Sequence, residues 1–499
     1  MSTTERLRQS WSPGAGGAGD GEPLLGTFPA LVGGRQVETG RAVPVRSPYD
    51  GSLVAIVHRA GTAEVEEAIA AAARAFALTR ALPAWRREEI LRGIAAGIDG
   101  RGEEIARTIA SEAGKPLKTA RVEVDRAAFT FRVAAEETKR IYGEVVPLDW
   151  LPGNEGRVGH VRRVPLGPVV GITPFNFPLN LVAHKVAPAL AAGNPIVVRP
   201  ASQTPVTSLK LGEIVLAAGW PQEGISVVPS ATEDAAALVE DDRIKLLSFT
   251  GSPAVGWDLK RRAGRKRVTL ELGGNAGVIV HRDADVPYAA ERIAWGGFAY
   301  AGQTCISVQR VFVHEEVYDR FLDELLPRVR ALTVGDPLDE GTDVGPVIDP
   351  GAAARVEEWV AEAVDAGAEL LAGGEADGSL LRPTVLGNPR EDLRVSCQEV
   401  FGPVIGVTRY DDVHDAVRAV GRSDFGLQAG IFTNDLALVD EAFDEIDVGG
   451  LMVNDVSTYR IDHMPYGGVK DSGFGREGLR YAIEEMTELK LVTFNRRPR

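Results

Sequence analysis

Val65, Ile69, Ala72, Ala73 and Phe76 recur at helical spacing and predict a helix over 62–76. Glu64, Glu66 and Glu67 sit near its start, where the helix dipole favours acids. Residues 88–109 and 122–141 carry the same period, while 157–164 alternates as a strand beside the turn-rich 151–156. Short β-branched or apolar runs then occur at 169–173, 196–199, 225–229, 244–250 and 268–272. They are separated by helix-like stretches at 179–192, 205–218, 231–240 and 253–263. This alternation implies right-handed β-α-β units in a parallel, doubly wound sheet, and the apolar continuity of the runs suits strands covered on both faces. A second alternating series extends from 276 to about 469, with strands expected at 276–280, 311–313, 402–410 and 430–433. Two α/β domains with a cleft between them follow, with ligands expected beyond the carboxyl ends of the strands.

The 499-residue length fits about three domains at about 150 residues each. Hydrophobic residues at 44% and charged residues at 25% describe a globular, soluble chain. No apolar run reaches the ~18–20 residues that span a bilayer, so no membrane association is expected. The net charge of −15 argues against a nucleic-acid partner. Two cysteines make no disulfide framework, which reads as cytoplasmic. Residues 1–23 have no apolar leader segment and are expected to form a flexible tail.

The run Gly14-Ala-Gly16-Gly-Ala-Gly19 matches the dinucleotide fingerprint in spelling only, since no strand precedes it and no helix follows. A Walker A run, H-E-x-x-H and C-x-x-C are absent, and His314-Glu315-Glu316 lacks a second histidine at i+4, so no metal is expected. Phe249-Thr250-Gly251-Ser252 closes one predicted strand and opens a helix. Such a terminus suits a phosphate, with Gly251 allowing close approach and Ser252 offering a hydroxyl; an ordinary N-cap serine is the competing reading. Glu271 ends another strand before Gly273-Gly274-Asn275, and Cys305 follows in the polar loop Gly302-Gln303-Thr304-Cys305. A cysteine there is a candidate nucleophile and a nearby carboxylate a candidate base for water, against the alternative of a small buried filler. Cys397, in Val395-Ser-Cys-Gln, has no comparable setting and reads as structural. Asn176, at a strand end in Pro174-Phe-Asn-Phe-Pro178, has an amide able to donate to an oxyanion, or else is a turn asparagine.

In chain order these segments resemble the aldehyde dehydrogenase superfamily. The matching motifs are 174–178, 249–252 with Gly256, 271–275, 302–305, Glu399-Val-Phe401-Gly402-Pro403 and Tyr466-Gly467-Gly468-Val-Lys470-Asp-Ser472-Gly473. The resemblance covers about 25–495, and 462–465 with 302–310 is similar to the lactaldehyde and phosphonoacetaldehyde dehydrogenase branch. It implies an α/β fold with a Rossmann-like NAD(P)-binding domain (24–145 and 166–270), an α/β catalytic domain (271–470) and a small β oligomerisation element (146–165 and 471–499). A homodimer or homotetramer acting on a small-molecule aldehyde is implied with it. Carried over residue by residue, Cys305 is the nucleophile, Asn176 with the Cys305 backbone N–H holds the oxyanion, and Glu271 activates the hydrolytic water. Lys185 is a nearby lysine of less defined role. Ile172, Thr173, Arg199, Ser202, Gly251, Ser252, Glu399 and Phe401 are implied at the cofactor, and Phe177 at the substrate.

Departures from the family pattern carry their own expectations. Arg199-Pro200-Ala201-Ser202 stands where Lys-Pro-x-Glu is usual. The planar guanidinium suits the adenosine ribose, and the missing carboxylate leaves room for a 2′-phosphate, so the reading is NAD with NADP also accepted. His184 and Arg460 are expected to favour a polar or anionic aldehyde, with a solvated loop as the alternative for Arg460. Thr304 replaces the arginine of non-phosphorylating glyceraldehyde-3-phosphate enzymes, which makes that substrate less expected. A CoA-acylating semialdehyde dehydrogenase is the first alternative, opposed by Glu271. A non-redox thiol hydrolase is the second, opposed by the lack of a histidine near Cys305 in sequence.

Overall fold

The computed structural model describes residues 21–496. Residues 1–20, which hold the glycine-rich run 14–19 and most of the expected tail, lie outside the described residues. An eight-stranded sheet is built around five parallel strands in the order Arg267–Glu271, Leu246–Thr250, Val169–Ile172, Ile196–Arg199 and Ile225–Val227. The three innermost, Leu246–Thr250, Val169–Ile172 and Ile196–Arg199, are buried nearly throughout, as their unbroken apolar runs require. Antiparallel edges are added by Gly473–Phe474 on one side and by the hairpin Ala30–Val32/Arg35–Val37 on the other. Gly33 and Gly34, at φ 54° and 70°, supply the two left-handed positions of that tight turn.

The second series forms a seven-stranded sheet in the order Glu369–Ala372, Thr384–Gly387, Val404–Tyr410, Val308–His314, Ala276–Val280, Gln428–Phe432, Gly450–Val453. It is parallel except for its first edge. A three-stranded antiparallel sheet stands apart, with Arg157–Pro165 between Glu144–Pro147 and the long Thr487–Asn495. The stretch after 470 therefore divides: Gly473–Phe474 pairs with Arg267–Glu271, and only Thr487–Asn495 joins the hairpin.

The helix expected over 88–109 is two, Ala84–Gly100 and Gly102–Ala113, broken at Arg101 (φ −114°, ψ 18°). The flanking Gly100 and Gly102 weaken the helix at that point. The one expected over 231–240 shortens to Ala236–Glu240. Among the described residues no helix is long and apolar enough to cross a membrane.

Candidate active site

The chain runs from Val169–Ile172 outward through Ile196–Arg199 to Ile225–Val227, then returns to Leu246–Thr250 on the other side of the first strand. The order thus reverses between Val169–Ile172 and Leu246–Thr250, and the crevice at such a switch point is where open α/β sheets bind ligands. The loops leaving these two strand ends, 174–177 and 250–252, wall a cavity of about 390 Å³ together with Leu272, Cys305, Glu399, Phe401 and Tyr466. Ser252 is extended (φ −72°, ψ 148°) and Pro253 opens the helix Pro253–Arg262, so the first amides of that helix face the crevice with no side-chain cap. Gly256 lets the helix lie flat on Leu272, which any Cβ would strike.

Cys305 reaches this cavity on a constrained loop. Tyr300 and Ala301, both non-glycine, are left-handed (φ 50° and 53°), and Gly302 follows at φ 68°. The Tyr300 hydroxyl donates to the Ala113 carbonyl at 2.8 Å and pins the turn. Backbone held in this sparsely populated region persists only where surroundings enforce it. The Cys305 sulfur is partly buried and lies 3.0 Å from the Tyr466 hydroxyl. Burial pushes the thiol up to about 12; Tyr466 and Arg460 act in the opposite direction, and Glu399 and Glu271 reinforce the rise. The buried Asn176 amide donates to the Gln303 carbonyl at 2.9 Å, which ties it to the same loop and leaves its second N–H for a neighbour.

Glu271 ends the strand Arg267–Glu271 but does not line the cavity. Among the described residues neither of its buried carboxylate oxygens has a hydrogen-bond partner. Burial first, and Glu477 second, hold its pKa well above the usual carboxylate range against Arg460, Lys185 and Arg476. Behind it, Lys185 donates to Thr250 Oγ1 at 2.7 Å, Ser248 Oγ at 3.1 Å and Glu477 Oε1 at 3.2 Å. Glu477 also accepts from Arg460 at 3.0 Å. With two cations on it, its pKa falls to about 2 in spite of burial.

Arg460 is not in a solvated loop. Its side chain is 7% exposed, its guanidinium lies 3.6 Å over the Tyr466 ring, its Nε has no hydrogen-bond partner among the described residues, and it lines the cavity. His184 corrects the expectation of a substrate contact: it is buried, its Nε2 is 2.8 Å from Asp462, and it does not line the cavity. Asp462 is held at the same time by Asn180 and by a two-pronged bond from Arg126. Arg126 does line the cavity, paired with that carboxylate. Phe177 lies on the wall, with the buried Lys115 ammonium 3.6 Å over its ring. Cys397, expected to be structural, is exposed, so it is no core filler.

Glu399 accepts from the Gly274 amide at 2.9 Å and, with its pKa raised to about 7 by burial, lines the cavity beside Phe401. Phe401 is left-handed (φ 49°) and packs edge-on against Phe175 at 5.8 Å. Ile172, Thr173 and Arg199 lie at the neighbouring strand ends, outside the cavity wall itself. Thr173 has a buried hydroxyl without a hydrogen-bond partner among the described residues. Arg199 donates to the Ser230 carbonyl at 3.1 Å, and Arg59 is near enough to add to the burial that lowers its pKa. Ser202 is in an exposed turn away from the cavity. The uncapped helix start at Ser252, the orphaned Thr173 hydroxyl and the two guanidiniums make a crevice whose chemistry fits a dinucleotide. Among the described residues no group of three or more His, Cys, Asp or Glu is arranged to hold a metal ion.

Three residues of the site escaped the sequence reading. Tyr466 lay inside a recognised motif, but nothing there pointed to the sulfur. Glu477 is separated from Lys185 by 292 positions. Arg126 did leave a signal: Thr119, Val122, Glu123 and Arg126 share one face of the helix Leu117–Thr138, and Val122 is 54% exposed because that face borders the cavity.

The chain is similar to known proteins over most of its length. A 3-sulfolactaldehyde dehydrogenase of Priestia megaterium is 46% identical over 465 residues, covering 93% of this chain and 97% of that protein. A lactaldehyde dehydrogenase of Methanocaldococcus jannaschii is 39% identical over 457 residues, covering 91% and 97%. Aldehyde dehydrogenase 21 from Physcomitrella patens, solved with the reaction product succinate, superposes with a TM-score of 0.92 at 43% identity, covering 94% of this chain and 98% of that one. A glyceraldehyde-3-phosphate dehydrogenase from M. jannaschii solved with NADP gives 0.88 at 39%, covering 92% and 100%. Residues 35–492 match the aldehyde dehydrogenase family, and the chain belongs to it.

Proposed function

We propose that this protein oxidises a small polar or anionic aldehyde to its carboxylic acid through a covalent intermediate on Cys305. What supports this most is that the Cys305 sulfur lines the cavity into which the two switch-point loops open, within one loop of Asn176 and facing Glu399 and Phe401. The sulfur attacks the aldehyde carbon, and the carbonyl oxygen takes the negative charge. The second N–H of Asn176 and the backbone N–H of Cys305 hold that oxyanion. Bound NAD or NADP supplies the acceptor for the hydride. A thioester remains on the sulfur, and the thiolate is a good leaving group in its hydrolysis. Glu271 activates the water after turning from its buried position toward the cavity. Lys185 is a positioning residue: it holds the end of Leu246–Thr250 and neutralises Glu477 behind Glu271.

The substrate class rests on Arg126 and Arg460, the two arginines on the cavity wall. The most similar relatives cited, named for 3-sulfolactaldehyde, act on an anionic aldehyde of this kind. No histidine lines the cavity, which disfavours a cysteine–histidine hydrolase. For the cofactor, Arg199 and Arg59, with no carboxylate at 202, support use of NADP beside NAD. Leu489, Leu491, Val492 and Phe494 are 46–57% exposed on the strand Thr487–Asn495, which supports a homo-oligomer joined through that strand. The decisive experiment is a panel of anionic, neutral polar and apolar aldehydes, each with NAD and with NADP, read by absorbance of the reduced cofactor. Arg460→Ala and Arg126→Ala should lower kcat/KM for anionic aldehydes at least tenfold more than for neutral ones; equal losses across the panel remove the substrate assignment.

A further inference from the structure

Among the described residues the Tyr466 hydroxyl has one hydrogen-bond partner, the Cys305 sulfur at 3.0 Å, and the ring behind it is buried and covered by the Arg460 guanidinium at 3.6 Å. That is an unusual place for a tyrosine whose only task is to shape an apolar wall, where phenylalanine fills the same volume without a buried hydroxyl to satisfy. We infer that Tyr466 is a catalytic residue that donates its hydroxyl hydrogen bond to the ionised sulfur of Cys305. This rests on the reading of Cys305 as the nucleophile and adds a named donor to it.

The direction of the bond follows from chemistry. An ionised sulfur has no proton to give, so the phenol must be the donor. Burial, and then the adjacent sulfur, hold the Tyr466 hydroxyl well above its ordinary pKa of 10.0, so it keeps its proton. Arg460, over the ring face, withdraws electron density and strengthens the O–H as a donor. The charged groups that face the sulfur are Glu399 and Glu271, which oppose its ionisation, and Arg460, which favours it. Burial is the largest opposition to the charge, and the Tyr466 hydrogen bond counters it at the reacting atom itself. When the sulfur becomes a thioester it is a poor acceptor and the bond is lost; when hydrolysis expels the sulfur as a thiolate the bond re-forms. Tyr466 thus favours the free thiolate at both ends of the cycle without transferring a proton.

The test uses the full-length protein without aldehyde or cofactor, so that it reads the thiol alone. Alkylation by iodoacetamide is followed between pH 7 and 9 by mass spectrometry of the Cys305 peptide, with the exposed Cys397 as an internal control in the same chain. A hydrogen bond to a charged acceptor corresponds to about one to two pKa units, so Tyr466→Phe should slow alkylation of Cys305 about ten- to a hundredfold at each pH. The rate on Cys397 should not change. Tyr466→Met, which fills the space without a donor, should lose the same factor, and thermal scans show whether either variant is folded. An unchanged Cys305 rate in a folded variant, or an equal loss on both cysteines, overturns the assignment. Because the aldehyde panel reads turnover and this experiment reads ionisation, either can fail while the other succeeds.

Discussion

A Cβ placed on Gly274 would sit 2.0 Å from the carbonyl oxygen of Cys305. Non-bonded carbon and oxygen approach to about 3.3 Å at closest. The loop after Glu271 and the loop that holds the nucleophile must therefore separate by about 1 Å in Gly274→Ala. Neither is free to yield elsewhere: the Gly274 amide is bonded to Glu399 at 2.9 Å, and the Cys305 loop is fixed by the left-handed pair Tyr300–Ala301. A displacement of about 1 Å at a reacting atom can cost about a hundredfold in rate, or about 2.7 kcal/mol in the barrier. The overpacking should also lower stability by about 1–3 kcal/mol. The assay is kcat/KM on the best aldehyde of the panel, with thermal denaturation alongside and Gly40→Ala as the control, since a Cβ at Gly40 meets nothing within 4 Å. A folded Gly274→Ala protein with kcat/KM within about threefold of the parent would refute the claim that contact at this backbone pair fixes the sulfur.

Glu271→Gln should preserve the pre-steady-state burst of reduced cofactor while slowing steady turnover about 10²- to 10⁴-fold; loss of the burst would mean that Glu271 acts before hydride transfer. Arg199→Ala should raise the KM for NADP about ten- to a hundredfold and that for NAD much less, and equal rises would sink the 2′-phosphate assignment. Glu112 accepts from the Val206 and Thr207 amides at 2.9 and 3.0 Å, and burial raises its pKa from 4.5 to about 7. A raised carboxyl pKa stabilises the fold below the unfolded value, and this contribution is lost as pH rises through the folded one. The parent should thus lose up to about 3 kcal/mol between pH 4.5 and 7 that Glu112→Gln does not lose. Melting curves of the two proteins at pH 5 and 8 that shift in parallel would exclude this account.

The parallel sheets were legible because strands such as Val169–Ile172 and Leu246–Thr250 are covered on both faces and cannot tolerate polar interruptions. Cys305, Asn176 and Glu399 were legible because each sits in a short loop whose glycines and prolines are spelled out in the chain. What stayed hidden was pairing at a distance. His184 looked like a cavity residue until Asp462, 278 positions away, was seen to hold it inside the protein. The charge of Arg460 was visible, but its coupling to Glu477 and to the Tyr466 ring depends on three segments meeting in space. The break at Arg101 was missed because the apolar period continues across it and only the two flanking glycines mark the spot.

Gly302 comes so close to the Gly402 carbonyl that no side chain fits between them. The segment bearing the sulfur and the segment bearing Phe401 are meshed like two knuckles, with no slack where they touch. Any residue larger than glycine at 302 would have to drive these two segments apart, so the position of the sulfur depends on this contact.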